Sequence, residues 1–495
     1  MHALPDDGVP AGPILGEISA LRATDAPTHG GRLFAYVYDP GLEELDELTA
    51  AAHALGAAVN GLDPTAFPSL LAMENALVGA ACSLLGGGPE STVVGNLTSG
   101  GTESLILAVK AARDAHPSSR PELVLPGTAH PSFLKAAQYL RVRPVIVPVS
   151  PDSLRPSTSD IAAAVTADTV LIACSAPSYP YGLVDPVVEV AAIAATAGVR
   201  CHVDACFGGW TLPYLRRLGV PVPDFDLSVP GVTSLSVDLH KYAYAPKGVS
   251  VLLHRSDELR ASQYFAHADW PGYTVVNPTM TSTRSGGPVA AAYATLRHIG
   301  DSGYLRLVAS SLQAVRSLTD AVSTVDGLRL MAEPESTVVA FTSVDASLDL
   351  FVLADELAAR GWHTQPQLAL PSGAPACTAG LPRSVHLTVT ASVAPQTAAF
   401  AADLHEAVAA TRAAGPVAVD ASLLELAAAL TPEQLTLDTV AALAGELGFS
   451  LGPGTGAPLP PRRATINTLV EAAAPPVREA LFSAFLRLLQ QPSYG

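Results

Sequence analysis

Apolar and polar positions change rhythm several times along the chain. Between about residues 61 and 310, short continuous apolar runs alternate with longer alanine-rich stretches. The runs are STVVGNL (91–97), ELVLP (122–126), PVIVPV (144–149), DTVLIACS (168–175), VRCHVDAC (199–206), TSLSVDL (233–239) and SVLLHR (250–255). Short, β-branched and bounded by turn formers, they predict buried strands. ESLILAVKAARDA (103–115) and VVEVAAIAATAG (187–198) predict helices between them. Strands that are apolar throughout, rather than at every second position, predict an α/β sheet covered on both faces.

The same pattern divides the rest of the chain. Residues 1–60 read as an irregular arm followed by helix, and 61–310 as one large domain. Residues 311–413 read as a smaller α+β domain with strands in STVVAFTSV (336–344) and SVHLTVT (384–390). Residues 414–495 read as a helical extension, broken by the loop composition of GPGTGAPLPP (452–461). No internal repeat is visible.

Charge narrows the function classes. The 495 residues are 49% hydrophobic and 15% charged, which predicts a soluble globular protein. A formal net charge of −17 argues against nucleic acid or an anionic membrane as partner. The N-terminal MHALPDDGVPAGPILGEISA lacks the basic start and apolar run of a signal peptide, and no apolar stretch is long enough for a transmembrane helix. Five cysteines without a CxxC pair predict free thiols in a reducing cytoplasm. No metal is expected.

Three stretches carry candidate chemistry. In NLTSGGTESLILA (96–108) a strand runs through Ser-Gly-Gly-Thr into a helix, so that a phosphate can sit on Gly100, Gly101 and Thr102 at the helix N-terminus. The plain alternative is a turn with Thr102 as N-cap. In CHVDACFGGW (201–210), Asp204 ends a strand, where open α/β sheets place their sites. A carboxylate there needs a cationic or hydrogen-bonding partner, or it simply caps the next element. In SVDLHKYAYAPKGVS (236–250), Lys241 follows a further strand. The chain has only four lysines against 24 arginines, and Lys241 and Lys247 are two of the four. A lysine among apolar groups is expected to lose charge and become a nucleophilic amine able to form a Schiff base. Together, a phosphate cradle, a buried acid and an amine at the edge of one sheet match the needs of pyridoxal phosphate.

HVDACFGGW, TSGGTES, AHPSFLKAA (129–137) and DLHKYAYAPKG (238–248) resemble the pyridoxal-phosphate-dependent sphingosine-1-phosphate lyases and, more broadly, the group II amino-acid decarboxylases. The resemblance runs from about Gly31 to Gly303 and more faintly beyond. It implies an aspartate-aminotransferase-like, type I pyridoxal phosphate fold, and a homodimer with active sites shared between chains. Lys241 would carry the cofactor, Asp204 would pair with its ring nitrogen and His130 would stack on the ring. Gly101, Thr102 and His240 would contact its phosphate, and Thr283 would reach it from the partner subunit. Tyr38 in FAYVYDPG matches an active-site tyrosine, with Tyr36 as the alternative; Lys247 matches a lysine near the substrate's phosphate. In VNGLDPTAFPS (59–69), Asn60 matches a substrate-binding position, whereas Asp63 stands where the lyases have histidine. Ser285 stands where proline is usual. An acid at 63 disfavours a phosphorylated substrate. Three readings follow: an aldehyde lyase cleaving a phosphorylated amino alcohol, an amino-acid decarboxylase, and a non-catalytic protein that keeps the fold.

Overall fold

The computed structural model describes Leu4 and residues 7–88, 90–449 and 460–492. Most of the expected loop at 452–461 lies outside the described residues.

All seven apolar runs of the large domain form strands: β1 (Val94–Thr98), β2 (Glu122–Pro126), β3 (Arg143–Val147), β4 (Thr169–Ser175), β5 (Arg200–Asp204), β6 (Ser234–Asp238) and β7 (Ser250–His254). They build one mixed sheet in the order β1-β7-β6-β5-β4-β2-β3, in which β7 runs antiparallel to both neighbours and the rest are parallel. Successive side chains on a strand face opposite sides. Accordingly, Leu123 and Leu125 of β2 join Phe133 and helix Gly101–Ala115 in one core, while Val124 joins Ile172, Val203 and helix Val187–Ala197 in another. Both faces are buried, which is why these strands lack a polar alternation.

A hairpin, β8 (Phe265–His267) and β9 (Val275–Asn277), follows. A helical run, Gly286–Ser323, is interrupted at Gly300, whose φ of 62° and ψ of 170° are not helical. The expected boundary at residue 310 falls inside this run. Beyond it, β10 (Leu328–Leu330), β11 (Val338–Ser343), β12 (Gln365–Gln367) and β13 (Ser384–Thr388) form a small antiparallel sheet in the order β10-β11-β13-β12.

The N-terminal arm is not free of this second domain. Phe34 is fully buried there, its ring 5.3 Å from that of Phe400, which in turn lies 5.2 Å from Trp362. Phe34 N also donates to His363 O. This anchor fixes where the next residues, including Tyr36 and Tyr38, emerge.

Of the C-terminal helices Ala421–Ala429, Leu437–Glu446, Ala464–Ala472 and Pro475–Leu489, the second and fourth share an apolar core with Leu435 and Ala473. The group docks on the small domain through buried acids. Asp355 accepts from Arg463 N and Ala464 N, capping helix Ala464–Ala472, and Arg462 pairs with Glu356 at 2.9 Å. Arg383 pairs with Glu471 at 2.6 Å. Among the described residues, no helix is long and apolar enough to cross a membrane.

Candidate active site

The C-terminal ends of β1, β5 and β6 open into one cavity of about 480 Å3. Gly100, Gly101, Thr102, His130, Asp204, His240, Lys241, Lys247 and Tyr38 all line it, so residues spread over more than 200 positions meet at one sheet edge. This is the edge where open α/β sheets hold ligands.

Helix Gly101–Ala115 starts at the cavity floor with Gly100 as its N-cap residue, so Thr102 is not the cap. Its hydroxyl lies 2.8 Å from that of Ser132 instead. Gly101 has no room for a side chain: a Cβ there would sit 2.8 Å from Cys206 Sγ and 2.9 Å from Asp238 Oδ2. Gly100 is less constrained, with only His240 Cε1 at 3.6 Å from such an atom. The helix start thus keeps a close, side-chain-free approach with free N–H groups, as a phosphate requires.

Asp204 is the last residue of β5 and is 8% exposed. Its Oδ1 accepts from Cys206 N at 3.0 Å. His130, open to the cavity, accepts from Ser132 N at Nδ1, so the neutral ring carries its proton on Nε2. Surrounding protein pushes its pKa down, with Asp204 opposing. His240 Nδ1 lies 3.0 Å from Val249 O, and burial pushes its pKa down as well.

Lys241 departs from expectation. Its Nζ lies 2.9 Å from Asp238 Oδ2. Burial works against the ammonium, but Asp238 together with Tyr38, Cys206 and Asp204 outweighs it, so the pKa is raised rather than suppressed. Asp238 is 2% exposed and is held by Ser250 Oγ as well; burial opposes its charge, but Lys241 and His240 keep its pKa low. Reasoning from sequence missed Asp238, although it stands three residues before Lys241 in the quoted motif. Strand periodicity carried no sign that its side chain turns under the lysine.

Tyr38 packs edge-on against Tyr242 at 5.1 Å and Phe207 at 6.1 Å. Burial drives its pKa well up and keeps the phenol protonated. Lys247 Nζ lies 5.0 Å over the Tyr38 ring and has no carboxylate partner among the described residues. Partial burial and then Lys241 push its pKa down. Tyr36 also lines the cavity; its backbone has a φ of 66° and its hydroxyl donates to Gln365 Oε1 at 2.6 Å.

Three expected residues lie elsewhere. Asn60 and Asp63 line a separate cavity of about 720 Å3 with Arg284, and Thr283 is exposed beside it. Asp63 is not a free carboxylate: Oδ1 accepts from Thr65 Oγ1 at 2.6 Å and from Thr65 N at 2.8 Å, and these bonds lower its pKa. Ser285, at the usual proline position, is the N-cap of the run Gly286–Ser323, its hydroxyl accepting from Gly287 N. Sequence reasoning also passed over Glu103. Its buried carboxylate accepts from Ser99 N and from Met280 N, both at 2.6 Å, tying the phosphate loop to the Thr279–Arg284 segment.

These residues fit pyridoxal phosphate: an amine within reach of a buried carboxylate, an imidazole and a side-chain-free helix start, all on one cavity. Together with the sheet order they define a type I pyridoxal-phosphate enzyme. The chain matches the model of the pyridoxal-dependent decarboxylase conserved domain over residues 28–344, and a model for the C-terminal HTH domain of pyridoxal-dependent enzymes over 421–488. It is 36% identical to the sphingosine-1-phosphate lyase of Dictyostelium discoideum over 82% of this chain and 74% of that one. It is likewise 36% identical to the Arabidopsis thaliana sphingosine-1-phosphate lyase over 78% and 70%. The solved sphingosine-1-phosphate lyase of Burkholderia pseudomallei superposes with a TM-score of 0.76 at 34% identity, over 84% of this chain and 94% of that one. The chain therefore belongs to the sphingosine-1-phosphate lyase family within the pyridoxal-dependent decarboxylases, and is a pyridoxal-phosphate-dependent lyase.

Proposed function

We propose that the protein cleaves a phosphorylated amino alcohol by a retro-aldol reaction, as a cytoplasmic homodimer. The observation that carries this reading is Lys247, a second amine on the cavity of Lys241 that no carboxylate among the described residues neutralises. An amine so placed favours a substrate with an anionic group, whose charge would oppose the burial that pushes the lysine's pKa down.

Bound pyridoxal phosphate supplies an electron-withdrawing ring that accepts the electron pair of a bond broken beside the substrate amine. The chain's residues divide the remaining work. Lys241 holds the cofactor and keeps a proton at Nζ when the substrate amine replaces it. Asp204 holds the ring nitrogen's proton. Gly101, Thr102 and the helix start would receive the cofactor phosphate, with Gly100 and His240 beside them, and His130 would face the ring. Tyr38, kept protonated, donates a hydrogen bond, and Lys247 binds the substrate phosphate. The hydroxyl gives up its proton, the Cα–Cβ bond of the amino alcohol breaks, the hydroxyl-bearing carbon leaves as an aldehyde, and the amine-bearing carbon takes up a proton in exchange. In the dimer, Thr283 would complete the site of the partner subunit, with Asn60 near it; Thr283 is exposed and Asn60 half-buried, both away from the cofactor cavity of their own chain, which supports that role.

Incubating the holoenzyme with a phosphorylated amino alcohol and, separately, with a panel of amino acids tests this. Aldehyde and phosphoethanolamine are expected from the first. Carbon dioxide from an amino acid, with no aldehyde from any phosphorylated amine, would leave the decarboxylase reading instead.

A further inference from the structure

Glu103 stands at the third position of helix Gly101–Ala115, where a carboxylate meets the positive end of the helix dipole. It is 7% exposed, and a charge so deep needs donors for its oxygens. The fold supplies one for each. Oε2 accepts from Ser99 N in the phosphate loop, and Oε1 accepts from Met280 N, 177 residues further along the chain, both at 2.6 Å. Two N–H groups converge on one side chain, so a carboxylate satisfies both, whereas an amide of the same shape would turn its NH2 toward one of them. Capping the helix needs only the first of these bonds; the second reaches a different part of the molecule.

Met280 opens a segment that is anchored at both ends and bare in the middle. Thr279 Oγ1 donates to Thr281 O at 2.7 Å. Arg284 grips Glu74 of helix Pro68–Leu84 through three hydrogen bonds of 2.7–3.1 Å, and its carbonyl accepts from Gly61 N. Residues 281–283, between these anchors, are exposed. The chain leading up to them is apolar and open as well: Phe265, Trp270, Tyr273, Val276 and Met280 are each 46–60% exposed. Five large apolar side chains left in solvent along one hairpin and its exit mark a face that another chain covers.

We infer that Glu103 is a positioning residue for two cofactor sites at once. Through Ser99 it orders the phosphate loop of its own chain. Through Met280 it sets the segment that carries Thr283 into the site of the partner subunit. This rests on the shared-site dimer proposed above and adds to it the side chain that links the two sites. The link is short and physical, two hydrogen bonds on one carboxylate.

Hybrid dimers test this. Two differently tagged chains are co-expressed, one of them carrying Lys241→Ala, and the mixed dimer is purified through both tags. Only the chain with Lys241 then gives the visible band when the cofactor-free hybrid is titrated with pyridoxal phosphate. Glu103→Gln is placed either on that chain or on the Lys241→Ala chain. On the Lys241→Ala chain it leaves the observed site's own phosphate loop untouched. The cofactor Kd of that site should nevertheless rise at least about tenfold over the hybrid without Glu103→Gln, as expected for the loss of a charge-assisted hydrogen bond. An unchanged Kd there, whatever the other placement gives, would confine Glu103 to its own chain; the inference would fall and the dimer would stand. A chain that sediments as a monomer and still binds the cofactor and turns over would overturn the shared site and the inference with it. If chains carrying Glu103→Gln do not assemble, Glu103→Asp takes their place. It keeps the charge but is one methylene shorter, so it reaches one loop and not both, and the same outcomes decide.

Discussion

Lys241 Nζ and Asp238 Oδ2 form a 2.9 Å ion pair inside the cofactor cavity, with the carboxylate almost completely out of solvent. The pair holds the amine in its charged form, whereas Schiff-base chemistry needs it neutral. Asp238 thus stores a proton at the position where the cofactor attaches. Asp238→Asn removes the opposing charge, so the cofactor-free protein should take up pyridoxal phosphate at lower pH than wild type. The pH profile of the initial rate of the visible absorption band checks this; coincident profiles would refute it.

Lys241→Ala should abolish turnover and the visible band. Neither Lys110 nor Lys135 lines the cavity, and Lys247 lies over Tyr38. Borohydride reduction of the wild type followed by peptide mass mapping should find the cofactor on Lys241 and nowhere else.

Asp204→Asn should retain the cofactor but lose most activity, because a neutral amide cannot hold the ring nitrogen's positive charge. Near-normal turnover with full cofactor content would reduce Asp204 to the cap of Cys206 N.

Gly101→Ala should lose the cofactor, since its methyl group meets Cys206 and Asp238 below 3 Å, whereas Gly100→Ala meets only His240 at 3.6 Å and should retain more. Equilibrium dialysis with pyridoxal phosphate ranks the two variants.

Lys247→Ala should weaken kcat/KM for a phosphorylated substrate about ten- to a hundredfold, the equivalent of about 1.5–3 kcal/mol for a charge-assisted hydrogen bond. An unphosphorylated amino acid should show no such loss. Asp63→His should disturb the turn that Asp63 closes on Thr65.

Stability should fall on mild acidification. Burial pushes His202 down to about 3, and His254 and His386 to about 4. Unfolded histidine titrates near 6.5. Each group therefore contributes stability above about pH 6.5 that is lost as pH falls toward its folded pKa. Asp185, pushed up to about 7 by burial, works in the opposite direction over the same window, one group against three. Urea midpoints at pH 7 and pH 5 should show the decline, and His202→Asn should reduce it.

Strand positions were legible because the large sheet is buried on both faces: LVL (123–125) and VLL (251–253) are apolar at successive positions, where a strand open to solvent on one face would alternate. Short strands were not. β10 and β12 have three residues each, too few to establish a period. The cofactor motifs were legible too, since glycine, histidine and lysine at fixed offsets follow from chemistry that tolerates few substitutes. What the lysine does there was not: its charge depends on Asp238, and a sequence gives neighbours along the chain but not the direction of a side chain. That the exposed Asp63 carboxylate turns its Oδ1 onto Thr65 is likewise shown only by the fold. The cavity of about 410 Å3 among the C-terminal helices belongs wholly to tertiary structure: Tyr36 lines it beside residues between 423 and 485, and the two are brought together by Phe34 in the small-domain core and by Asp355 capping helix Ala464–Ala472.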